Sequence, residues 1–140
     1  MFGTVLLAVD GSKHAEKAVD LATKLAQIDG DKVVVLHVTE VMPARFQVPS
    51  AVEYTLDEET IQLAKRYAEA LEAAGVEART EFRHIHSGHV ARVICDTADE
   101  LDAGLIVMGS RGRSDLTAVL LGSVAHKVLH LADRPVLIAR

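Results

Sequence analysis

A single cysteine, Cys95, is present among 140 residues. It excludes an intrachain disulfide and a multi-cysteine zinc site. Tryptophan is absent and aromatics amount to 4%, which leaves few rings to stack a flavin. No apolar run comes near the ~20 residues that a membrane-spanning helix needs. Met1-Phe2-Gly3-Thr4 leads straight into a strand-like run, with no basic region before it and no small-residue cleavage site. The expected location is the cytoplasm, and no membrane is expected as a partner. Lys and Arg number 15 against 20 Asp and Glu, for a net charge of −5. A nucleic-acid binder would normally show a basic face, so nucleic acid is not an expected partner either. The loop G-x-x-x-x-G-K-S/T is missing, which excludes a P-loop motor.

What is present suits an ordinary globular domain. Apolar residues make up 49% and charged residues 25%, close to the soluble average. The length fits one domain, residues 1–140. Such a chain buries about two-thirds of its unfolded surface and needs no staples.

Two periodicities alternate along it. Thr4–Val9 is a β-rich apolar run, as in a strand buried on both faces of a parallel sheet. Asp10-Gly11-Ser12 breaks it, and Ala15, Ala18, Val19, Ala22, Leu25 and Ala26 recur at helical spacing until Gly30. Lys32–Val38 is a second apolar run. Thr39–Thr55 has no clear period and reads as a long loop, a candidate lid. Asp57-Glu58-Glu59 opens a helix striped by Ile61, Ala64, Ala68 and Leu71. Val76–Ile85 is a more polar edge strand, and Ser87 is placed to cap a helix that buries Val90, Val93, Ile94, Thr97, Ala98 and Leu101. Ala103–Met108, Ser123–Leu131 and Pro135–Ala139 complete the series as strand, helix and strand. This alternation predicts an α/β fold, a parallel sheet with helices on both faces.

Open parallel sheets bind ligands beyond the carboxyl ends of their strands, where the strand order reverses. Asp10 ends the first strand, Met108-Gly109-Ser110-Arg111-Gly112 ends the fourth, and Leu121-Gly122-Ser123 opens the last helix. Glycines allow positive φ and close approach of N–H groups to an anion. A helix N-terminus adds unpaired donors and a positive dipole end. The Ser123 hydroxyl is placed to cap the helix or meet a phosphate, and Arg111 and Arg113 add charge-assisted donors. The set suits a polyphosphate, with Asp10 accepting from ribose hydroxyls or an adenine amine.

Gly109-x2-Gly112-x9-Gly122-Ser123 resembles the ATP-binding signature of the universal stress protein family. Val5-Leu6-Leu7-Ala8-Val9-Asp10-Gly11-Ser12, Val35-Leu36-His37-Val38 and Arg134-Pro135-Val136-Leu137-Ile138 resemble its flanking segments, so that the likeness spans nearly the whole chain. It implies an open five-stranded parallel sheet in the order 3-2-1-4-5. It also implies ATP as ligand, to which Mg2+ or Mn2+ would attach through the phosphates. By position, the Val38 backbone would meet the adenine edge. Ala8, Asp10 and Met108 would line base and ribose, and Gly109, Gly112, Gly122, Ser123 and Val124 would hold ribose and phosphates. Two positions depart from the pattern: Ala8 stands where some members have proline, and Asp115 puts a negative charge near the phosphate loop. The family also implies a homodimer through Pro135–Ala139, whose apolar edge needs a cover.

Other residues carry less. His84, His86 and His89 cluster without a carboxylate or cysteine at metal-ligand spacing, and His126 and His130 have no third ligand. His37 reads as a core or crevice-wall histidine. Ser12 reads as an N-cap, since no G-x-S-x-G elbow accompanies it. Cys95 reads as an inert thiol, with Arg92 offset by Asp96 and Asp99. The competing function, an ATP-using enzyme of a related fold, lacks its S-G-G-x-D-S loop after the first strand. No catalytic residue or protein-held metal is expected, and ATP turnover should be slow or absent.

Overall fold

The computed structural model describes residues 1–41, 50–86, 88–111 and 121–140, with backbone alone for Val41 and residues 50–57. Among these, five strands and four helices alternate: β1 (Thr4–Ala8), α1 (His14–Asp29), β2 (Lys32–Val41), α2 (Ser50–Ala73), β3 (Ala78–His86), α3 (Val90–Glu100), β4 (Leu105–Gly109), α4 (Ser123–Leu131) and β5 (Val136–Ala139). The sheet is parallel throughout, in the order β3-β2-β1-β4-β5. That is the architecture and order expected from the sequence.

Val5–Leu7, Val33–Leu36 and Leu105–Met108 are apolar throughout because both faces of the sheet are covered there. Val5, Leu7, Val33, Val35, Leu105 and Val107 pack on one side with Ala15, Ala18, Ala22 and Ala26 of α1 and Ala64, Ala68 and Leu71 of α2. Leu6, Val34, Leu36, Ile106 and Met108 pack on the other with Ala91, Ile94, Cys95 and Ala98 of α3 and Ala125 and Val128 of α4. Alternation along each strand thus sorts residues between two cores. Alanine along α1 keeps that helix close to the sheet.

Several boundaries move. The long loop expected over Thr39–Thr55 is regular structure at both its ends. β2 continues to Val41 because it pairs with β3 as far as His86, and α2 begins at Ser50, in a stretch free of glycine and proline through Ala73. Only residues 42–49 lie between, outside the described residues. α1 does not use Ser12 as its cap: Lys13 holds that position in helical geometry with no side-chain cap bond. α3 starts after His89, and Ser87 lies outside the described residues. Gly30 does end α1, at φ 72°.

The amino ends of the strands are tightly closed. Asp31, 5% exposed, accepts from the Phe2 N–H at 3.1 Å and the Gly3 N–H at 2.8 Å, and pairs with the Met1 ammonium at 3.0 Å. Burial alone would raise its carboxyl pKa; these donors outweigh burial and hold it below the ordinary value. Arg134 reaches the Ala98 and Ala103 carbonyls at 3.0 and 2.7 Å and pairs with Asp99.

Candidate functional site

The carboxyl ends of the strands are built differently. β1 stops pairing with β2 at the rung Ala8–Leu36, and one last bond runs from the Val9 N–H to the Leu36 carbonyl at 2.9 Å. β2 runs on to Val41 with only β3 beside it. In a parallel ladder alternate residues turn both backbone groups to the same neighbour. Leu36 faces β1, so Val38 does too, where β1 has ended. No backbone bond joins Val38 to Val9 among the described residues. A notch therefore opens between β1 and the tip of β2, with the N–H and C=O of Val38 along its rim.

β1 is also hydrogen-bonded to β4, so that the two halves of the sheet diverge between them. This is the switch point at which open sheets take ligands. Ala8 sits in register with Met108. Ala8, Val38 and Met108 all belong to the core on the α3 and α4 side, so they share one wall.

Beyond β4, the Ser110 N–H donates to the Ala139 carbonyl at 2.8 Å, and the Ser110 carbonyl accepts from the Gly122 N–H at 2.6 Å. The second bond closes the excursion after β4. It sets the start of α4 against the end of β4. Gly122 is the N-cap of α4, in extended geometry at φ −68° and ψ 161°, and makes no side-chain cap bond. Among the described residues, the first-turn N–H groups of α4 have no side-chain acceptor.

The universal stress protein family profile matches residues 1–140. The chain belongs to the universal stress protein family. It is 37% identical over 154 aligned positions to universal stress protein YxiE of Bacillus subtilis, with each chain fully covered. Its fold superposes on the universal stress protein UspA of Lactobacillus plantarum with a TM-score of 0.84, covering 99% of this chain and 98% of that one at 20% identity. A universal stress protein of Archaeoglobus fulgidus, solved in complex with dAMP, superposes with a TM-score of 0.69 at 26% identity, covering 100% and 98%.

In this universal stress protein the described candidate residues gather at the same end of the sheet. Ala8, Asp10, Val38, Met108, Gly109 and Arg111 come from the ends of β1, β2 and β4, and Gly122, Ser123 and Val124 from the start of α4. Gly112, Arg113 and Asp115 lie outside the described residues. Asp10 accepts from the Ser12 N–H at 2.9 Å, which turns the chain into α1.

Three local expectations change. Gly109 and Gly122 do not use positive φ. Gly109 is glycine for a packing reason: a Cβ there would stand 3.1 Å from the His14 Cβ and 3.2 Å from the His14 carbonyl oxygen. The close fit of β4 against the first turn of α1 accounts for it. Ser123 is exposed and does not cap α4; Gly122 takes that place. The Ser12 hydroxyl is buried without a hydrogen-bond partner.

Some contributors were not singled out by sequence. Tyr67 on α2, half-buried, has its phenol pKa raised by burial first and then by the Glu16 carboxylate, with Arg66 opposing and Asp10 adding least. Being one of only two tyrosines was the available signal. Among the described residues no group of three or more His, Cys, Asp or Glu could hold a metal ion. His84, His86 and His89 are exposed, and the His126 and His130 rings pack edge to face with centroids 4.7 Å apart. Burial raises the Cys95 thiol pKa, and Asp96 and Asp99 raise it further against Arg92 and Arg134, in line with an inert thiol. No described helix is long and apolar enough to cross a membrane.

Proposed function

We propose that this universal stress protein binds ATP beyond the carboxyl ends of β1 and β4, with its base in the notch between β1 and the tip of β2, and acts as a nucleotide-responsive regulator under stress, with slow or no turnover. The observation that carries the reading is the 2.6 Å bond from the Gly122 N–H to the Ser110 carbonyl. It brings an uncapped helix N-terminus, a natural anion site, to the strand end that also carries Arg111. The residues present fit the ligand at both ends. The first turn of α4 offers N–H groups to phosphates. The rim of β2 offers one N–H and one C=O to a purine edge. The relative solved with dAMP supports an adenine nucleotide. Gly109, Gly112, Gly122, Ser123 and Val124 would hold ribose and phosphates, and Ala8, Asp10 and Met108 would line ribose and base. Mg2+ or Mn2+ would be held through the phosphates rather than by protein ligands.

Rapid phosphoryl transfer needs a positioned nucleophile, metal ligands and charge stabilisation. Asp10 is the carboxylate among the described residues at this end of β1, and it already takes the Ser12 N–H. We therefore read the site as a cradle rather than a catalyst. The 140 residues act in this reading as one cytoplasmic domain. They pair with a second copy along Pro135–Ala139, where β5 forms the outer edge of the sheet.

Native mass spectrometry of the purified protein tests the central claim. A mass increment matching ATP, lost on exchange into nucleotide-free buffer and restored by added ATP, is the expected result. A chain that takes up no adenine nucleotide at millimolar concentration would end this reading. Light scattering at micromolar concentration should report a dimer, and a monomer there would remove the β5 pairing alone.

A further inference from the structure

The notch between β1 and β2 is held open by a side chain. The next rung of a regular ladder would run from the Val38 N–H to the Val9 carbonyl. The His37 ring stands there instead, with Nδ1 3.2 Å from the Val9 carbonyl oxygen. His37 is 4% exposed, so the contact is shielded from water. A carbonyl oxygen only accepts, so Nδ1 carries the proton and donates. His37 continues the face of Val33 and Val35, which pack under α1 and α2, whereas Val38 packs on the opposite side. The ring therefore acts from behind the sheet and leaves the notch clear.

We infer that His37 is a positioning residue for the base end of the nucleotide site. Two consequences follow from the contact of Nδ1 with the Val9 carbonyl. The Val9 carbonyl is tied to an imidazole rather than to the Val38 N–H, which stays available to a ligand. Val9 is also fixed beside Asp10, so one ring sets the spacing between the β1 and β2 walls. Adenine presents an amine donor beside a ring-nitrogen acceptor, which complements the C=O and N–H of a single extended residue. The assignment rests on the nucleotide reading above and adds a residue that touches no ligand.

The test compares His37→Leu, His37→Asn and His37→Gln with wild type, titrated calorimetrically with ATP and separately with inorganic tripolyphosphate, each fold checked by thermal unfolding. Tripolyphosphate probes the phosphate cradle alone. His37→Leu should weaken ATP binding about tenfold, the worth of roughly one buried hydrogen bond, and leave tripolyphosphate binding unchanged. Asn places its amide nitrogen close to Nδ1 and should restore most ATP affinity; Gln places it near Nε2 and should not. If His37→Leu does not fold, the Asn and Gln variants decide between themselves. Unchanged ATP affinity in His37→Leu, equal loss of ATP and tripolyphosphate, or equal behaviour of Asn and Gln would each overturn the assignment. Wild type that binds tripolyphosphate but not ATP would remove the base site and His37 with it. Wild type that binds neither would remove the nucleotide reading itself.

Discussion

The two ends of the sheet solve opposite problems. At the amino ends, Asp31 gathers the first N–H groups of the chain and Arg134 gathers two carbonyls at the turn into β4. The Gly104 N–H donates to Thr4 at 2.9 Å, and backbones touch closely. At the carboxyl ends, β1 stops early, the Val38 N–H and C=O turn to the side where β1 has ended, no side chain of the described residues caps the first turn of α4, and the Ser12 hydroxyl is buried without a partner. Buried polar groups are nearly always satisfied. One end satisfies its own and carries stability. The other leaves donors and acceptors open, and it is the end to which the proposed function assigns recognition.

That division can be broken from either side. The largest effect is expected at the closed end. A Cβ on Gly104 would lie 2.4 Å from the Phe2 carbonyl oxygen, a backbone atom that cannot step aside. Gly104→Ala should cost about 3 kcal/mol or more through overpacking, read by chemical denaturation, while ATP affinity of the folded fraction stays unchanged. Next comes the open end. Gly122→Val should lower ATP affinity by at least about a hundredfold, close to 3 kcal/mol, because a branched side chain would stand before the N–H groups of α4. Its stability should hold, since φ −68° and ψ 161° suit any residue. A titration in which this variant binds as well as wild type would place the ligand elsewhere.

Asp31→Asn should cost about 2 kcal/mol, as charge-assisted bonds become neutral ones. The sign of its pH dependence is fixed. Its folded pKa lies below the ordinary 3.8, so its contribution is complete above that value and fades as pH falls through the folded pKa. The variant should flatten the acid limb of a stability–pH curve, and parallel curves would refute this. The smallest effect is that of Ser123→Ala. The hydroxyl is exposed and caps nothing, so stability should stay within about 0.5 kcal/mol. ATP affinity should fall only a few-fold, by about 0.5–1.5 kcal/mol for one lost hydrogen bond.

The fold was legible in the sequence because every central strand is built on a run of consecutive apolar residues and every helix carries an alanine-rich or aliphatic stripe. β2 was read too short, since Thr39 and Glu40 look polar; pairing with β3 overrides that pattern. The start of α2 was missed because helix propagation from a folded segment leaves no strong local mark. The candidate residues of the site come from glycine and strand-end chemistry, and those described lie at one end of the sheet. Gly109 does not use the positive φ that glycine allows, and nothing local in a sequence reveals that His14 would crowd a Cβ there. His37 was seen as buried, but a ring that replaces a ladder rung cannot be read without the register of β1 and β2.

The overhang of β2 also has a kinetic face. Beyond Leu36 its amides alternate between two fates. Those of His37 and Thr39 turn toward β3 and are protected by the ladder, whereas those of Val38 and Glu40 turn toward the space that β1 has left. Amide hydrogen exchange along this one tip should therefore rise and fall with a period of two residues, slow then fast, within a single strand. An occupant of the notch that accepts from Val38 would slow one tooth of that comb and leave Glu40 exchanging as before.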